Sequence, residues 1–180
     1  CYNIHPLIYA IDANNIALTG KGTIDGQASN EAWWWMNGNP NYGWKDGMNN
    51  QKLSGRKHLL EYEQNQTPVE ERRFGLEGAL RPQLVNFNNC NTVLIEDLTL
   101  KNSPFWVIHP VRTDNFILRG VTIISAGPNS DGCDPESCNG VLIEGCYFDT
   151  GDECIAIKSG RNNDGRKWSI PSKNVMIKGF

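Results

Sequence analysis

A short motif returns four times in the second half of the chain, and it leaves little choice of fold. Thr92–Leu98 reads TVLIEDL, Asn115–Val121 reads NFILRGV, Gly140–Cys146 reads GVLIEGC, and Asn174–Phe180 reads NVMIKGF. Successive copies start 23, 25 and 34 residues apart, within the period range of solenoids. Second short strands follow the first three copies, at Leu98–Lys101, Val121–Ile124 and Tyr147 with Phe148. A further apolar alternation covers Cys154–Lys158, and NIALTGKGTIDG (Asn15–Gly26) reads as an earlier coil with Gly20 and Gly22 at corners. No helical periodicity separates these strands, so the pattern predicts an all-β chain, a right-handed parallel β-helix. One coil cannot bury its own Ile, Val, Leu and Cys; stacking the coils, about 4.8 Å apart, supplies the core. Asn89, Asn115 and Asn174 are expected at the corners, where asparagine tolerates tight turns. A leucine-rich repeat is the structural rival, but its LxxLxLxxN signature is missing.

The stretch from Gln27 to Arg81 breaks the repeat. It holds Trp33, Trp34, Trp35 and Trp44, the Asn-Gly pair at 37–38 and the charged run EYEQNQTPVEERR. It reads as a long excursion from the helix body, carrying function or packed over one face. Trp33–Trp35 are placed either to stack on sugar rings or, the favoured reading, to anchor the excursion. Residues 1–180 are expected to be a single domain, incomplete at both ends, since strand-like sequence begins at once and NVMIKGF opens another coil. The balance of 17 Lys and Arg against 20 Asp and Glu leaves a net charge of −3, which argues against a general nucleic-acid binder. No apolar run reaches the ~18–20 residues a membrane-spanning helix needs. The six cysteines offer no CxxC or CxxH pair for zinc. A Cys133–Cys138 bridge is conceivable, but buried free thiols are the better reading.

The chemistry concentrates in two neighbouring coils, GPNSDGCDP (Gly127–Pro135) and DTGDECIAIKSGR (Asp149–Arg161). Aligning Cys133 with Cys154 places Asp131 level with Asp152, one coil apart, with Glu153 beside it. Like charges that close disfavour simultaneous ionisation, so at least one carboxyl is expected to titrate high. A high-titrating carboxyl beside an ionised one is what cleavage of a glycosidic bond needs. Asp and Gly are also ordinary turn residues, and Asp134, Asp149 and Asp164 are read as nothing more.

These same residues resemble glycoside hydrolase family 28, the polygalacturonases and related pectin hydrolases, most nearly its bacterial members. NSDG followed by GDECIAIKSG is similar to the family's NTD and DD motifs. GKGTIDGQ, the Trp-rich turn, RPQLVNFNNC, LKNSPFWVIHP and GPNSDGCDPESC extend the likeness over nearly the whole chain. The resemblance implies a right-handed parallel β-helix and hydrolysis of galacturonan or a related pectic polymer with inversion. It casts Asp152 as general acid, with Asp131 and Glu153 holding and deprotonating the attacking water. Inversion asks for room for that water between acid and base, about 6.5–9.5 Å. No metal or organic cofactor is implied. Position 153 is Glu where the family usually has Asp, which moves the carboxylate out by about 1.5 Å.

The family's Gly-His-Gly and Arg-x-Lys motifs are not found in the chain; His5, His58 and His109 stand in other contexts. Among secondary candidates, Arg81 is read either as a fork for a substrate carboxylate or as a surface arginine. Lys158 and Arg161 are placed to meet uronate groups, the favoured reading for Lys158 although its alternating strand could simply point it to solvent. Trp106 and His109, in SPFWVIHP, either line the cleft or, for His109, lie buried. The expected partner is a pectic polysaccharide or oligogalacturonide, and the polymeric substrate implies an extracellular or periplasmic location. A monomer is expected. Two other functions compete: a calcium-dependent polysaccharide lyase on the same fold, and a non-catalytic carbohydrate-binding β-helix.

Overall fold

The computed structural model describes residues 1–179 and is a parallel β-helix. Strands β1 (Ile8–Ile11), β4 (Val85–Asn88) and β7 (Ile108–Val111) form one sheet. A second runs β2 (Asn14–Thr19), β5 (Asn91–Glu96), β8 (Asp114–Arg119), β10 (Asn139–Glu144) and β12 (Lys173–Lys178). The third runs β3 (Thr23–Asp25), β6 (Thr99–Lys101), β9 (Thr122–Ser125) and β11 (Tyr147–Thr150). Each pairing within these sheets is parallel. The repeat therefore stacks as predicted, coil on coil. The fourth copy does so as β12, and its Phe180 lies outside the described residues.

Period-two alternation turns this stacking into a core. Ile16, Val93, Phe116, Val141 and Val175 stand in one register column, and Leu18, Ile95, Leu118, Ile143 and Ile177 in another. Val93, Ile95, Phe116, Leu118 and Ile143 are among the buried side chains of the central cluster. Full burial of each such side chain is worth about 1.5–3 kcal/mol. The columns pack a Phe against Val and a Leu against Ile, so the repeat needs similar volumes and not identical residues.

The corners follow a second rule. Asn15, Thr92, Asn115, Gly140 and Asn174 precede the inward column by one residue, and all have left-handed backbone, with φ of 57°, 59°, 53°, 77° and 54°. Asn89, at φ 53°, turns the preceding corner. Asn side chains also tie corner to corner: Asn115 donates to Asn91 Oδ1 at 3.0 Å and Asn174 to Asn139 Oδ1 at 2.7 Å. The strands end earlier than the motif suggests, because Asp97 (φ 63°) is already a corner residue.

The excursion contains a helix that the alternation did not announce, α1 (Gly55–Gln64), with short 3-10 turns on either side. A second, α2 (Asn162–Trp168), follows the acidic coil. Glu63 of α1 accepts from the backbone N–H groups of Asn163 and Asp164, capping α2. Arg72, buried, forks onto Asp164 at 2.7 and 3.2 Å, so Asp164 is an ion-pair partner and not merely a turn residue. All six cysteines are free thiols. Cys90, Cys133, Cys138 and Cys146 are buried as expected, but Cys154 is exposed.

Candidate active site

Two close approaches pack the acidic coils against each other and against the excursion. A Cβ on Gly151 would lie 2.3 Å from the Gly127 carbonyl oxygen, and one on Gly127 would lie 2.3 Å from Trp34 Nε1. Only glycine fits in either place. Trp34 donates to the Ser103 carbonyl at 3.0 Å, so this tryptophan anchors the excursion to the helix body, as favoured from the sequence. Beneath, Ser103 N donates to Ser125 Oγ at 2.9 Å, and the Ser125 and Ser130 hydroxyls meet at 3.1 Å. The loop carrying Asp131 is thus fixed by buried hydroxyls on one side and indole on the other.

The coils are offset by one residue from the cysteine alignment. Cys133 bridges Ile155, not Cys154, and Glu136 bridges Lys158. The reason lies in the parallel ladder: Cys133 N donates to the Cys154 carbonyl and Ala156 N to the Cys133 carbonyl. Counting back places Asp131 level with Glu153, and Asp152 one step earlier. The convergence survives the shift. Asp131, Asp152 and Glu153 each offer a carboxylate oxygen within 4.8 Å of the others, Asp131 buried and the other two exposed, which is closer than the about 6.5–9.5 Å expected for inversion. Oxygens about 4.6 Å apart are what a single water would contact at ordinary hydrogen-bond lengths of about 2.8 Å and a tetrahedral angle. Three such oxygens are also what the chain offers a hard cation there, against the 6–8 or so that calcium takes.

Asp152 is raised above the usual carboxylate range, first by its hydrogen bond with Glu153, then by desolvation and the Glu153 charge. The amide of Asn129 opposes this, donating to Asp152 Oδ2 at 3.3 Å. A carboxyl held toward its protonated form beside a buried carboxylate has the asymmetry of an acid and a base.

Lys158 points inward, not to solvent. Its Nζ lies 3.5 Å from Asp131 Oδ2 and 3.3 Å from Asp134 Oδ1, and sits 4.3 Å from the centre of the Trp106 ring. Trp106 stacks on Phe105 and meets His109 edge-on at 4.8 Å, so it lies half-buried in the floor of the site. His109 is buried. Its Nε2 is 2.8 Å from Glu136 Oε2, and its Nδ1 faces the amides of Gln83 and Asn86 at 3.3 and 3.4 Å. With both ring nitrogens engaged, His109 supports the floor and has no free edge for substrate. Arg81 corrects both of its readings, because it is only 5% exposed. Its Nη1 donates to the carbonyls of Pro104 and Pro128 at 3.0 and 2.7 Å, and its Nη2 to Asn129 Oδ1 at 2.8 Å and Gln51 Oε1 at 3.3 Å. Arg161 stands apart from the carboxylates, exposed at the edge of a cavity of about 480 Å³ between α1 and α2.

Three residues matter here that the sequence reading passed over. Asp134, taken for a turn residue, is fully buried. Burial first, then repulsion from Asp131, pushes its carboxyl up to about 8 against the pull of Lys158. Burial also raises Glu136, but the bond to His109, the imidazole charge and Lys158 outweigh it and hold this carboxyl below its ordinary value. Asn129 links Arg81 to Asp152. Its place in NSDG was the available signal, two residues before the first carboxylate.

Known proteins share this arrangement of chain. A probable polygalacturonase of Vitis vinifera is 33% identical over 175 residues, covering 96% of this chain and 28% of that protein. The crystal structure of a hyperthermoactive exopolygalacturonase from Thermotoga maritima is 50% identical with a TM-score of 0.93, over 96% of this chain and 39% of that one. The polygalacturonase of Erwinia carotovora, 22% identical with a TM-score of 0.62 over 96% of this chain and 38% of that one, shares the fold. The chain thus spans well under half the length of each of these relatives. The model of glycosyl hydrolases family 28 matches residues 46–177, a span that takes in α1, the coils from β4 to β11 and all three carboxylates, and the chain belongs to that family.

Proposed function

We propose that this chain supplies the acid–base centre of a hydrolase that cleaves glycosidic bonds in galacturonan or a related pectic polysaccharide, with inversion. The observation that carries the hydrolytic reading is the meeting of three carboxylate oxygens within 4.8 Å, with Asp152 raised by its neighbour; the inverting course rests on the family likeness and not on that spacing, which is shorter than the usual inverting range. Asp152 protonates the leaving oxygen. Asp131 and Glu153 orient a water and take its proton as it attacks the anomeric carbon from the opposite face, in a single displacement. Lys158 and Trp106 form the floor beneath the reacting sugar, and Arg161 lies outward along the substrate's path. Pectin of the cell wall fits the proposed substrate, and a secreted, extracellular or periplasmic protein is the setting in which such a polymer is met.

The test is the dependence on leaving group. In a protein carrying this chain, Asp152→Asn should lower the rate on unactivated pectic substrates by about 10²–10⁴-fold. Substrates whose leaving group needs no proton should suffer far less, because only protonation has been removed. Asp131→Asn should damage both, since each needs an activated water. Equal and severe losses for Asp152→Asn on both substrate types would show that Asp152 is not the acid.

A further inference from the structure

Arg81 is an unusual residue to bury. Its Nε has no hydrogen-bond partner among the described residues, and an incompletely satisfied buried guanidinium costs stability. Burial lowers it to about 10, so it remains a cation at neutral pH. A guanidinium only donates hydrogen bonds. The Asn129 atom that Arg81 Nη2 meets at 2.8 Å must therefore be the carbonyl oxygen. Asn37, from the excursion, donates to that same oxygen at 3.0 Å. With its oxygen claimed twice from behind, the Asn129 amide has one orientation, and its nitrogen faces Asp152 Oδ2 at 3.3 Å.

We propose that Asn129 is a positioning residue for Asp152, and that Arg81 and Asn37 act through it by fixing which end of its amide faces the acid. The proposal takes Asp152 as the acid of the hydrolysis set out above. The excursion is thereby given a part in the chemistry: through Asn37 it determines whether the acid receives an N–H. The charged groups facing Asp152 are Glu153 and Asp131, with Lys158 behind Asp131. Against that negative field, the Asn129 N–H is the larger of two neutral donors that favour the ionised form, the other being the Glu153 backbone N–H.

The experiment follows the Asp152 side-chain carboxyl by carbon NMR through a pH titration, alongside the pH profile of hydrolysis. Variants are Asn129→Ala, Asn37→Ala and Arg81→Met, each first checked for a native melting transition. Loss of the N–H should move the Asp152 midpoint upward in Asn129→Ala. A smaller upward move is expected in Asn37→Ala, which leaves Arg81 in place and remains usable if Arg81→Met does not fold. The basic limb of the rate profile should move upward with it, whereas a merely structural role would lower the rate at every pH without displacing the limb. An unmoved Asp152 midpoint in folded Asn129→Ala would overturn the proposal. A moved midpoint in a protein that hydrolyses no pectic substrate would uphold the clamp and sink the hydrolase reading instead.

Discussion

Thr92 is a β-branched residue at a left-handed corner, with φ 59°, where its column neighbours are Asn or Gly. Left-handed backbone costs an ordinary L-residue about 1–2 kcal/mol, and asparagine much less. Thr92→Asn should therefore stabilise the chain by about 1 kcal/mol, a rise in Tm of about 2–4 °C for a domain this size; an unchanged or lower melting temperature would show the corner is relaxed. Asp134 sets a pH dependence. Its folded carboxyl titrates near 8 against about 3.9 when unfolded, so between those values the folded state binds more protons and stability falls as pH rises. Asp134→Asn should flatten that slope between about pH 4 and 8, read from urea midpoints at several pH values. A variant that loses stability with pH as steeply as the parent would contradict the assignment. The role of Asp134 was not legible in GCDP because it is made first by burial among the stacked coils, which the local sequence does not record. Asp152 and Glu153 could be read directly, since adjacent carboxylates need no tertiary contact to interact.

At the level of elements, strands and helices differ in how openly the sequence announces them. Alternation marks β5, β8 and β10 because each presents two residues inward, and a slip by one would turn those residues to solvent. The sheet that carries Asp131 is less regular, and its one-residue offset comes from the different loop lengths entering Cys133 and Ile155. No feature of either cysteine records it. α1 escaped because GRKHLLEYEQ offers Leu59 and Leu60 side by side in place of a continuous apolar stripe. What holds it instead is contact: a Cβ on Gly55 would lie 2.2 Å from the Gly78 carbonyl oxygen, so helix and turn touch backbone to backbone. α2, only 7 residues long, is too short to be stable alone. It depends on Glu63 at its N-terminus and on Arg72 gripping Asp164. Glu63→Gln should thus loosen α2 before the coils. Amide exchange should speed up at Asn163 and Asp164 while β8 and β10 remain protected; equal protection in variant and parent would show that the cap is dispensable.

Over the whole molecule, one solenoid serves both stability and chemistry. Stacking fixes the inward columns and, by the same register, delivers carboxylates from successive coils to one patch. That is why the repeat and the NSDG and GDEC motifs pointed to the same place from separate observations. The excursion closes over this patch through Trp34 and Asn37, reaching the loop at Gly127 and Asn129. Its tryptophans were legible as anchors; its hydrogen bond to the amide that faces the acid was not, because a lone Asn beside Met and Gly carries no periodic or motif signal. The central claim is that a water held by Asp131 and Glu153 cleaves the glycosidic bond in one displacement, with Asp152 as the acid. Proton NMR of the first reducing ends released from a pectic oligosaccharide tests it most directly, read before mutarotation mixes the anomers. The account predicts that the new end appears in the configuration opposite to the bond that was cut. Release with the original configuration, or with an unsaturated end, would contradict it.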